Sequence, residues 1–390
     1  MNPSQVPELQ RWLLSAAQVD DGGLSLMVGL VERVRAAGIP LWRCSFSLMT
    51  KHPELVWRTV QWNERDGVTT VERSRATLDE PYFRASPIAQ LRAGAPPIRE
   101  RLDAPSAFPI CEDLRALGGT DYVAHGLPAS TGEISYISWA TRAPGGFSED
   151  ALAAFGALAP YLAQRIELAA AYHGTRALLE VYLGRNAGRR VVDGGFRRGS
   201  GELISAAIWF CDLRGFTALS DDRTPHAVVA TLDTYFDCVA AAIMAAGGEV
   251  LKFIGDATLA IFPVGDDPAA ACRRALGAAE RALDDLGRAN VGRTARGEPA
   301  LAIGIALHLG EVMYGNIGAR DRLDFTVISS SVNEACRLEA LCKTLGTPLA
   351  LSQAFADAAR PEAVVDLGLH ALKGVRAPLR VLTLPHHAAR

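Results

Sequence analysis

The stretch Ile204–Thr217, ISAAIWFCDLRGFT, constrains the fold more than any other part of the chain. Ile204–Cys211 is almost continuously apolar, which predicts a central strand that is covered on both faces. Asp212 follows at the point where this strand should emerge, and Gly215 allows a tight turn directly after it. Because hard divalent cations prefer carboxylate oxygens, the stretch predicts part of a metal site that needs a second carboxylate.

Composition limits what the chain can do. At 390 residues it is long enough for two domains, and a net charge of −3 gives no general attraction to nucleic acid or anionic membrane. Seven cysteines without a C-x-x-C pair favour free thiols. The N-terminus lacks a secretory pattern, and the longest small-apolar stretch, Cys238–Ala246, is far shorter than the ~20 residues of a spanning helix. We expect a soluble cytoplasmic protein.

The first half of the chain has the pattern of a sheet enclosed by helices. Leu24–Ala37 has helical spacing, and Leu41–Thr50 alternates so strictly that it predicts a half-buried strand with Arg43, Ser45 and Ser47 on the polar face. Further strands are predicted at 55–62, 68–73, 121–128 and 133–141, and Ser148 should cap a helix that reaches about Tyr172.

This order of elements resembles a GAF domain over Leu24–Tyr172, with the passage GGFSEDALAAFGALAPYLAQ similar to the start of that family's last helix. The resemblance implies a GAF-like α/β sensor domain that could hold a small-molecule ligand. Four tryptophans either line such a pocket or are core aromatics of the sheet: Trp42, Trp57, Trp62 and Trp139.

The closing helix carries an a/d-type apolar seam formed by Leu152, Phe155, Ala159, Leu162, Ile166 and Ala169. The seam could pack on its own domain or on a second chain, and Pro160 should kink the helix. An Arg- and Gly-rich connector follows, which we expect to be a solvated hinge. The predicted domains are therefore 1–174 for the sensor, 175–200 for the linker and 201–390 for the second domain.

The second half reads as β-α-β-β-α-β, which predicts a ferredoxin-like α+β domain with helices on one face of an antiparallel sheet. Asp256 lies at the tip of the predicted hairpin in LKFIGDATLAIF, beside the opening strand, so it can converge with Asp212 on a pair of Mg²⁺ or Mn²⁺ ions. We expect a helix from Pro268 to about Leu286, a loop from 288 to 299, and a capping box of Ser331 and Glu334.

Five passages in order resemble class III nucleotidyl cyclases, the adenylate and guanylate cyclase catalytic domains: FCDLRGFT, LKFIGDATLAIF, ALHLGEVMYGNIG, RLDFTVISSSVNEACRLEAL and LKG. The resemblance covers Gly201 to about Leu384 and implies a homodimer with sites shared between chains. It assigns Asp212, Asp256 and the Leu213 carbonyl to two Mg²⁺ or Mn²⁺ ions. It assigns Lys252 and Thr326 to the purine, Asn333 and Arg337 to ribose and transition state, and Lys373 to the terminal phosphates.

The chemistry of these side chains agrees with the implied roles. Asn333 and Arg337 are four residues apart on a predicted helix and so share a face. Lys252 can only donate, which suits the adenine N1, and the Thr326 hydroxyl can accept from the 6-amino group. The resemblance thus implies an adenylate cyclase that makes cyclic AMP from ATP under the control of the first domain. Ser329 and Ser330 replace the family's usual Gly-Asp, which leaves open a weak or inactive nucleotide-binding or dimerisation module, and a guanylate cyclase is the third reading.

Overall fold

The computed structural model describes residues 5–15, 21–49, 55–194, 197, 199–375 and 377–388, and the chain divides into two compact units, Met1–Leu178 and Leu179–Arg390. The strands of the first unit form one antiparallel sheet in the order β3-β2-β1-β6-β5-β4. They are β1 Arg43–Met49, β2 Leu55–Asn63, β3 Gly67–Ser74, β4 Ile98–Arg101, β5 Asp121–Pro128 and β6 Ile134–Thr141. The helices are α1 Val6–Ser15, α2 Leu24–Ala36, α3 Pro81–Arg84, α4 Pro87–Arg92, α5 Pro109–Ala116 and α6 Glu149–Leu183, with a 3₁₀ turn at Arg75–Asp79.

The apolar seam of α6 packs against other residues of its own unit. Phe155, Leu162, Ile166 and Ala169 are buried in one core with α2 and the apolar face of β1, and Leu152 and Ala159 pack against that core. Trp139 of β6 stacks on the Phe155 ring with centroids 4.5 Å apart. Of the two alternatives for the seam, the structure shows packing on its own domain.

The second face of β1 is also covered, so the prediction of a half-buried strand is wrong. Ser45 and Ser47 are only 3% and 1% exposed, because the segment between β3 and β5 folds over this face as short helices. Ser45 pairs with Ser138 Oγ at 2.8 Å, and Ser47 Oγ accepts from the Tyr136 amide at 3.2 Å. Alternation of polar and apolar residues identified the strand but not what lies on its polar side. The GAF resemblance remains a prediction.

Helix α6 is 35 residues long and continues through Pro160 to Leu183, eleven residues beyond the predicted end at about Tyr172. Gly184, with φ of 85°, then leads into α7, Arg185–Val192. Ala187 and Gly188 of α7 are buried, and the Ala187 amide donates to Glu249 Oε1 at 3.3 Å. Residues 185–192 of the connector therefore form a helix that packs through Ala187 and Gly188, while Arg185, Arg189 and Arg190 are exposed. The role of the connector as a hinge stays a prediction, and residues 195, 196 and 198 lie outside the described residues.

The second unit is built on a sheet in the order β13-β14-β12-β10-β7-β9-β8, with β11 paired to β10. Its strands are β7 Gly201–Leu213, β8 Glu249–Ile254, β9 Ala257–Pro263, β10 Ile303–Ala319, β11 Arg322–Ile328, β12 Leu349–Ser352, β13 Val365–His370 and β14 Leu379–Thr383. Its further helices are α8 Phe216–Asp221, α9 Pro225–Ala245, α10 Pro268–Ala295, α11 Ser330–Leu345 and α12 Gln353–Ala359, with a 3₁₀ turn at Pro385–His387.

Strand β7 lies at the centre of this sheet, between β9 and β10, as its apolar sequence predicts. Ile208, Trp209 and Cys211 are fully buried, with alternate residues facing opposite sides. Helices α9, α10 and α12 pack on the Trp209 face, and α11 packs on the Ile208 face. Helices therefore cover both faces and β10 pairs with β12 in parallel, which corrects the predicted one-sided, purely antiparallel layout.

Two element boundaries in this unit differ from the prediction. Helix α10 continues to Ala295 through the expected loop, because Asn290 bonds the Leu301 backbone in both directions, at 2.8 and 2.7 Å. Arg293, 3% exposed, also donates to the Pro299 carbonyl at 3.2 Å. The sequence predicts two strands here, Ala300–His308 and Glu311–Ile317, separated at Gly310. In the structure β10 is a single strand, and Gly310 pairs with Ala206 within it.

Helix α9 has 21 residues and a mean hydropathy of 1.5, so by length and composition it could span a membrane. The sequence expectation that no stretch is long enough for a membrane span is wrong. In the described residues it is the one such helix. Tyr235, Val239, Ala242 and Ile243 of this helix are buried in the core against the sheet. Packing in the core of this unit accounts for these four residues, whereas Val229 and Met244 of the same helix are 56% and 55% exposed.

Candidate active site

Asp212 and Asp256 lie next to each other at one end of the central strand. Asp212 is the penultimate residue of β7 and pairs with Ala257, which directly follows Asp256 at the β8–β9 turn. Gly255 has φ of 63°, the left-handed conformation that this tight turn requires. Burial, and then the neighbouring Asp256 carboxylate, raise the pKa of Asp212 to about 6. The close approach of these two carboxylates concentrates negative charge that a divalent cation can neutralise.

The oxygen chemistry of this pair fits a divalent metal site. No group of three or more His, Cys, Asp or Glu side chains able to hold a metal occurs in the described ranges, so further ligands must be backbone, water or phosphate oxygens. Leu213 ends β7, and its side chain is 3% exposed in the core, which fixes the backbone beside Asp212. Mg²⁺ commonly combines one or two carboxylates with substrate phosphates in this way.

Lys252 and Thr326 are brought to one place, together with a residue that the sequence did not single out. Lys252 on β8 forms an ion pair with Asp324 on β11, and Asp324 is two residues before Thr326 on the same strand. The Thr326 hydroxyl is buried and has no hydrogen-bond partner within the described residues. A buried hydroxyl without a partner carries a free-energy cost, which a ligand can remove by bonding to it.

Asn333 and Arg337 project from one exposed face of α11, one turn apart. The helix starts one residue earlier than predicted, because Ser329 is its N-cap and accepts from the Val332 amide at 3.2 Å. The predicted capping box of Ser331 and Glu334 is wrong, since Glu334 Oε2 lies 3.4 Å from His308 Nε2 instead. Burial lowers the pKa of His308 to about 4, so this histidine is neutral near pH 7.

Lys373 lies apart from these residues, in an exposed turn after β13. Among the described residues, neither Lys373 nor Arg337 makes an ion pair with the chain's own carboxylates. Both cations are therefore available to an anionic group outside this chain.

Sequence reasoning missed an ion pair behind the two aspartates. Arg214 Nη2 lies 2.8 Å from Glu339 Oε1 and 3.5 Å from the Glu339 carbonyl, which ties the turn after β7 to α11. The guanidinium crosses β10 over Gly304, where any Cβ would overlap it. Gly304 pairs with Asp212 across the sheet. An isolated glycine within a strand is the signal that could have indicated this close approach.

The comparisons with known proteins concern mainly the second unit. Residues 201–354 match the model of the "Adenylate and Guanylate cyclase catalytic domain". The chain is 36% identical over 156 residues to "Adenylate cyclase" from Anabaena cylindrica, which covers 40% of this chain and 31% of that protein. It is also 36% identical over 166 residues to "Adenylate cyclase 1" from Rhizobium meliloti, which covers 40% of this chain and 24% of that one.

One of the similar solved structures is that of a bacterial light-regulated adenylyl cyclase, with 25% identity, a TM-score of 0.50, and coverage of 59% of this chain and 66% of that chain. The chain spans about a third or less of the two curated relatives. Residues 201–354 therefore contain a cyclase catalytic domain of the class III type. The matching model covers both adenylate and guanylate cyclases, so the match does not determine whether the nucleotide base is adenine or guanine.

Proposed function

We propose that the second unit is an adenylate cyclase that converts ATP to 3′,5′-cyclic AMP and pyrophosphate. The observation that carries this proposal is the pairing of Asp212 and Asp256 at the end of β7, where burial and mutual repulsion raise the pKa of Asp212. Such a pair is suited to Mg²⁺ or Mn²⁺, two ions per site, which would supply positive charge to the phosphates when bound.

The reaction is an in-line displacement at phosphorus. The ribose 3′-oxygen forms a bond to the α-phosphorus, the bond from that phosphorus to the pyrophosphate oxygen breaks, and the 3′-hydroxyl proton leaves to solvent. Asn333 orients the ribose, and the Arg337 guanidinium donates to phosphoryl oxygens as they gain charge. Lys373 holds the terminal phosphates. Asp212, Asp256 and the Leu213 carbonyl are the oxygen ligands for the metal ions.

Adenine is the preferred base in this proposal. Lys252 donates to the acceptor N1, and the Thr326 hydroxyl, which lacks a partner in the described residues, accepts from the 6-amino group. Because Lys252 is paired with Asp324, ATP must draw the ammonium group away from that carboxylate on binding. The Thr326 hydroxyl can accept from an amino group or donate to a carbonyl, so the preference for adenine depends on Lys252, which offers no acceptor to the N1–H of guanine.

A guanylate cyclase is the second candidate, and Asp324 is the observation that favours it. Guanine carries a hydrogen on N1 and needs an acceptor, and the Asp324 carboxylate next to Lys252 is one. The remaining alternative, an inactive module, was motivated by Ser329 and Ser330. Ser329 caps α11, which carries Asn333 and Arg337, so this substitution supports the helix.

We also propose a head-to-tail homodimer in which the aspartates of one chain act with the base, ribose and phosphate residues of the other. In the described residues of a single chain, no ion pair joins Arg337 or Lys373 to Asp212 or Asp256, which leaves both cations available to the phosphates of a site completed by a second chain. In the same proposal, the first unit regulates the cyclase, and the protein is located in the cytoplasm.

The direct test is incubation of the full chain with Mg²⁺ or Mn²⁺ and either ATP or GTP, with both cyclic nucleotides measured. We expect cyclic AMP as the main product, and loss of activity in Asp212→Asn. Asp233→Asn, on the exposed side of α9, is the matched control and should retain activity. Cyclic GMP as the main product would favour the second candidate, and no product in any condition would reject both.

A further inference from the structure

A cavity of about 170 Å³ lies in the N-terminal unit, between the six-stranded sheet and the helices that cover its polar face. Its floor is formed by side chains of β1, β2, β5 and β6, and its cover by residues of α3, α4 and α5. The helices that cover the cavity are the ones that bury the polar face of β1. Trp57 lines it, whereas Trp42, Trp62 and Trp139 do not.

The volume limits the ligand to a single small ring. A cavity of about 150 Å³ holds benzene, so 170 Å³ leaves room for one ring with a small substituent. Drug-sized ligands occupy pockets of about 300–1,000 Å³, which excludes a nucleotide, including the proposed cyclic product.

The walls are suited to a flat aromatic group. The Trp57 and Phe83 rings lie 5.1 Å apart at the cover, and Tyr122 and Tyr136 are buried in the floor. The hydroxyls already pair with one another, Ser45 with Ser138 at 2.8 Å and Thr59 with Tyr136 at 3.4 Å. An empty cavity therefore leaves these hydroxyls satisfied, and a ring can enter without breaking a protein–protein bond to them.

One charge in the wall lacks a counter-charge. Arg43 is half-buried, and its described partner is the neutral Gln61 side chain, at 3.2 Å from Nη2 to Oε1. Within the described residues no carboxylate lies within ion-pair distance of it; Glu80, at the rim, is exposed, and so is Arg73. Taking a guanidinium partly out of water without an anion costs free energy, and its planar fork matches a carboxylate.

We propose that this cavity binds a monocyclic aromatic carboxylate of the benzoate class, with the ring among Trp57, Phe83 and Tyr136 and the carboxylate on Arg43. The ring fills the volume, and the carboxylate supplies the charge that Arg43 lacks. This site goes beyond the cyclase proposal and does not depend on it, because binding is measured without turnover.

The test is calorimetric titration of the full chain with benzoate and 4-hydroxybenzoate, against neutral benzamide of the same shape. We expect saturable binding of a carboxylate, with benzamide at least about tenfold weaker, since hydrogen bonds between charged groups exceed neutral ones by that order. Equal binding of benzamide, or no binding of either carboxylate at millimolar concentration, overturns the proposal. This comparison uses the unchanged chain and needs no variant to fold.

Variants then locate the site. Arg43→Gln should weaken carboxylate binding about tenfold and leave benzamide unchanged, and Arg43→Lys should recover part of the loss. Arg65→Gln is the matched control, because its side chain is 93% exposed in the β2–β3 turn outside the cavity lining. Carboxylate affinity that is unchanged in Arg43→Gln, with circular dichroism matching the parent, contradicts the assignment.

Discussion

Arg214 joins two parts of the candidate site that are far apart in the sequence. Its ion pair with Glu339 spans 125 positions and is mostly shielded from water, with the two side chains 22% and 6% exposed. The resemblance to a family assigned neighbouring residues but not this pair. The isolated glycine at 304 indicates that some group approaches β10 closely, but the sequence does not identify Arg214 and Glu339 as that group, because both look like ordinary exposed charges.

Arg214→Gln should lower kcat by about tenfold while KM for ATP changes by less than about twofold. The reason is that Arg214 positions α11, and so Arg337, without touching the nucleotide in this proposal; tenfold corresponds to about 1.4 kcal/mol of transition-state free energy. Steady-state kinetics checks this, with the exposed Arg273→Gln as the control. An effect on KM alone would place Arg214 in substrate binding instead.

The pH dependence of stability should report on Glu339. Burial first, and then the neighbouring Asp212 against the opposing effect of Arg214, raise the pKa of Glu339 from 4.5 to about 7. The folded state then holds a proton that the unfolded state has lost, so the free energy of unfolding of the metal-free chain falls as pH rises between these values. Glu339→Gln should flatten this fall in urea unfolding at a series of pH values with chelator present; the same slope in both proteins would contradict it.

In the proposed cyclase, the base preference is set by Lys252 on β8 and Thr326 on β11. Replacing Lys252 by Glu and Thr326 by Cys should shift the preference from ATP towards GTP by at least about tenfold, because a donor is exchanged for an acceptor opposite N1. The measurement is kcat/KM for each nucleotide. A double variant that keeps its preference for ATP would remove these residues from base recognition.

At the scale of secondary-structure elements, the sequence predicts those features that depend on neighbouring residues along the chain. The buried strand β7, the hairpin at Gly255 and the start of α10 at Pro268 agree with the structure. The errors arise where a contact with a residue far away in the sequence determines the local structure. Glu334 Oε2 lies 3.4 Å from His308 Nε2 instead of closing a capping box, and the α10 extension depends on the Leu301 backbone.

Glu249 should control the docking of α7. It is 5% exposed and accepts from the Tyr314 hydroxyl at 2.8 Å, from Asn186 at 3.1 Å and from the Ala187 amide. Glu249→Ala leaves these donors unpaired, which should cost about 1–3 kcal/mol and speed hydrogen exchange in 185–192. Glu280→Ala, partly exposed on α10, is the control. Unchanged exchange in 185–192 would show that other contacts hold α7.

At the scale of the whole molecule, the proposed dimer makes a prediction about mixtures. Asp212→Ala and Arg337→Ala should each be inactive alone, because each variant damages both sites of a homodimer. In an equal mixture about half of the dimers are mixed, and each has one intact site, so about a quarter of the parent activity should return.

The control for this mixing experiment pairs Asp212→Ala with Asp256→Ala. Both changes affect the same half-site, so every mixed dimer has a damaged metal pair on each side and the mixture should stay inactive. If the Asp212→Ala and Arg337→Ala mixture is also inactive while size-exclusion chromatography shows dimers, all the residues act within one chain.

Gly304, Arg214 and Glu339 constrain one another's substitutions. Any side chain there meets the Arg214 guanidinium and the Glu339 carboxylate together, so substitutions at the three positions cannot add independently. A Cβ at position 304 would meet the Arg214 guanidinium and would lie 2.6 Å from Glu339 Oε1, so alanine there requires both side-chain ends to shift. Shifting them disturbs the Arg214–Glu339 ion pair, which links the turn after β7 to α11.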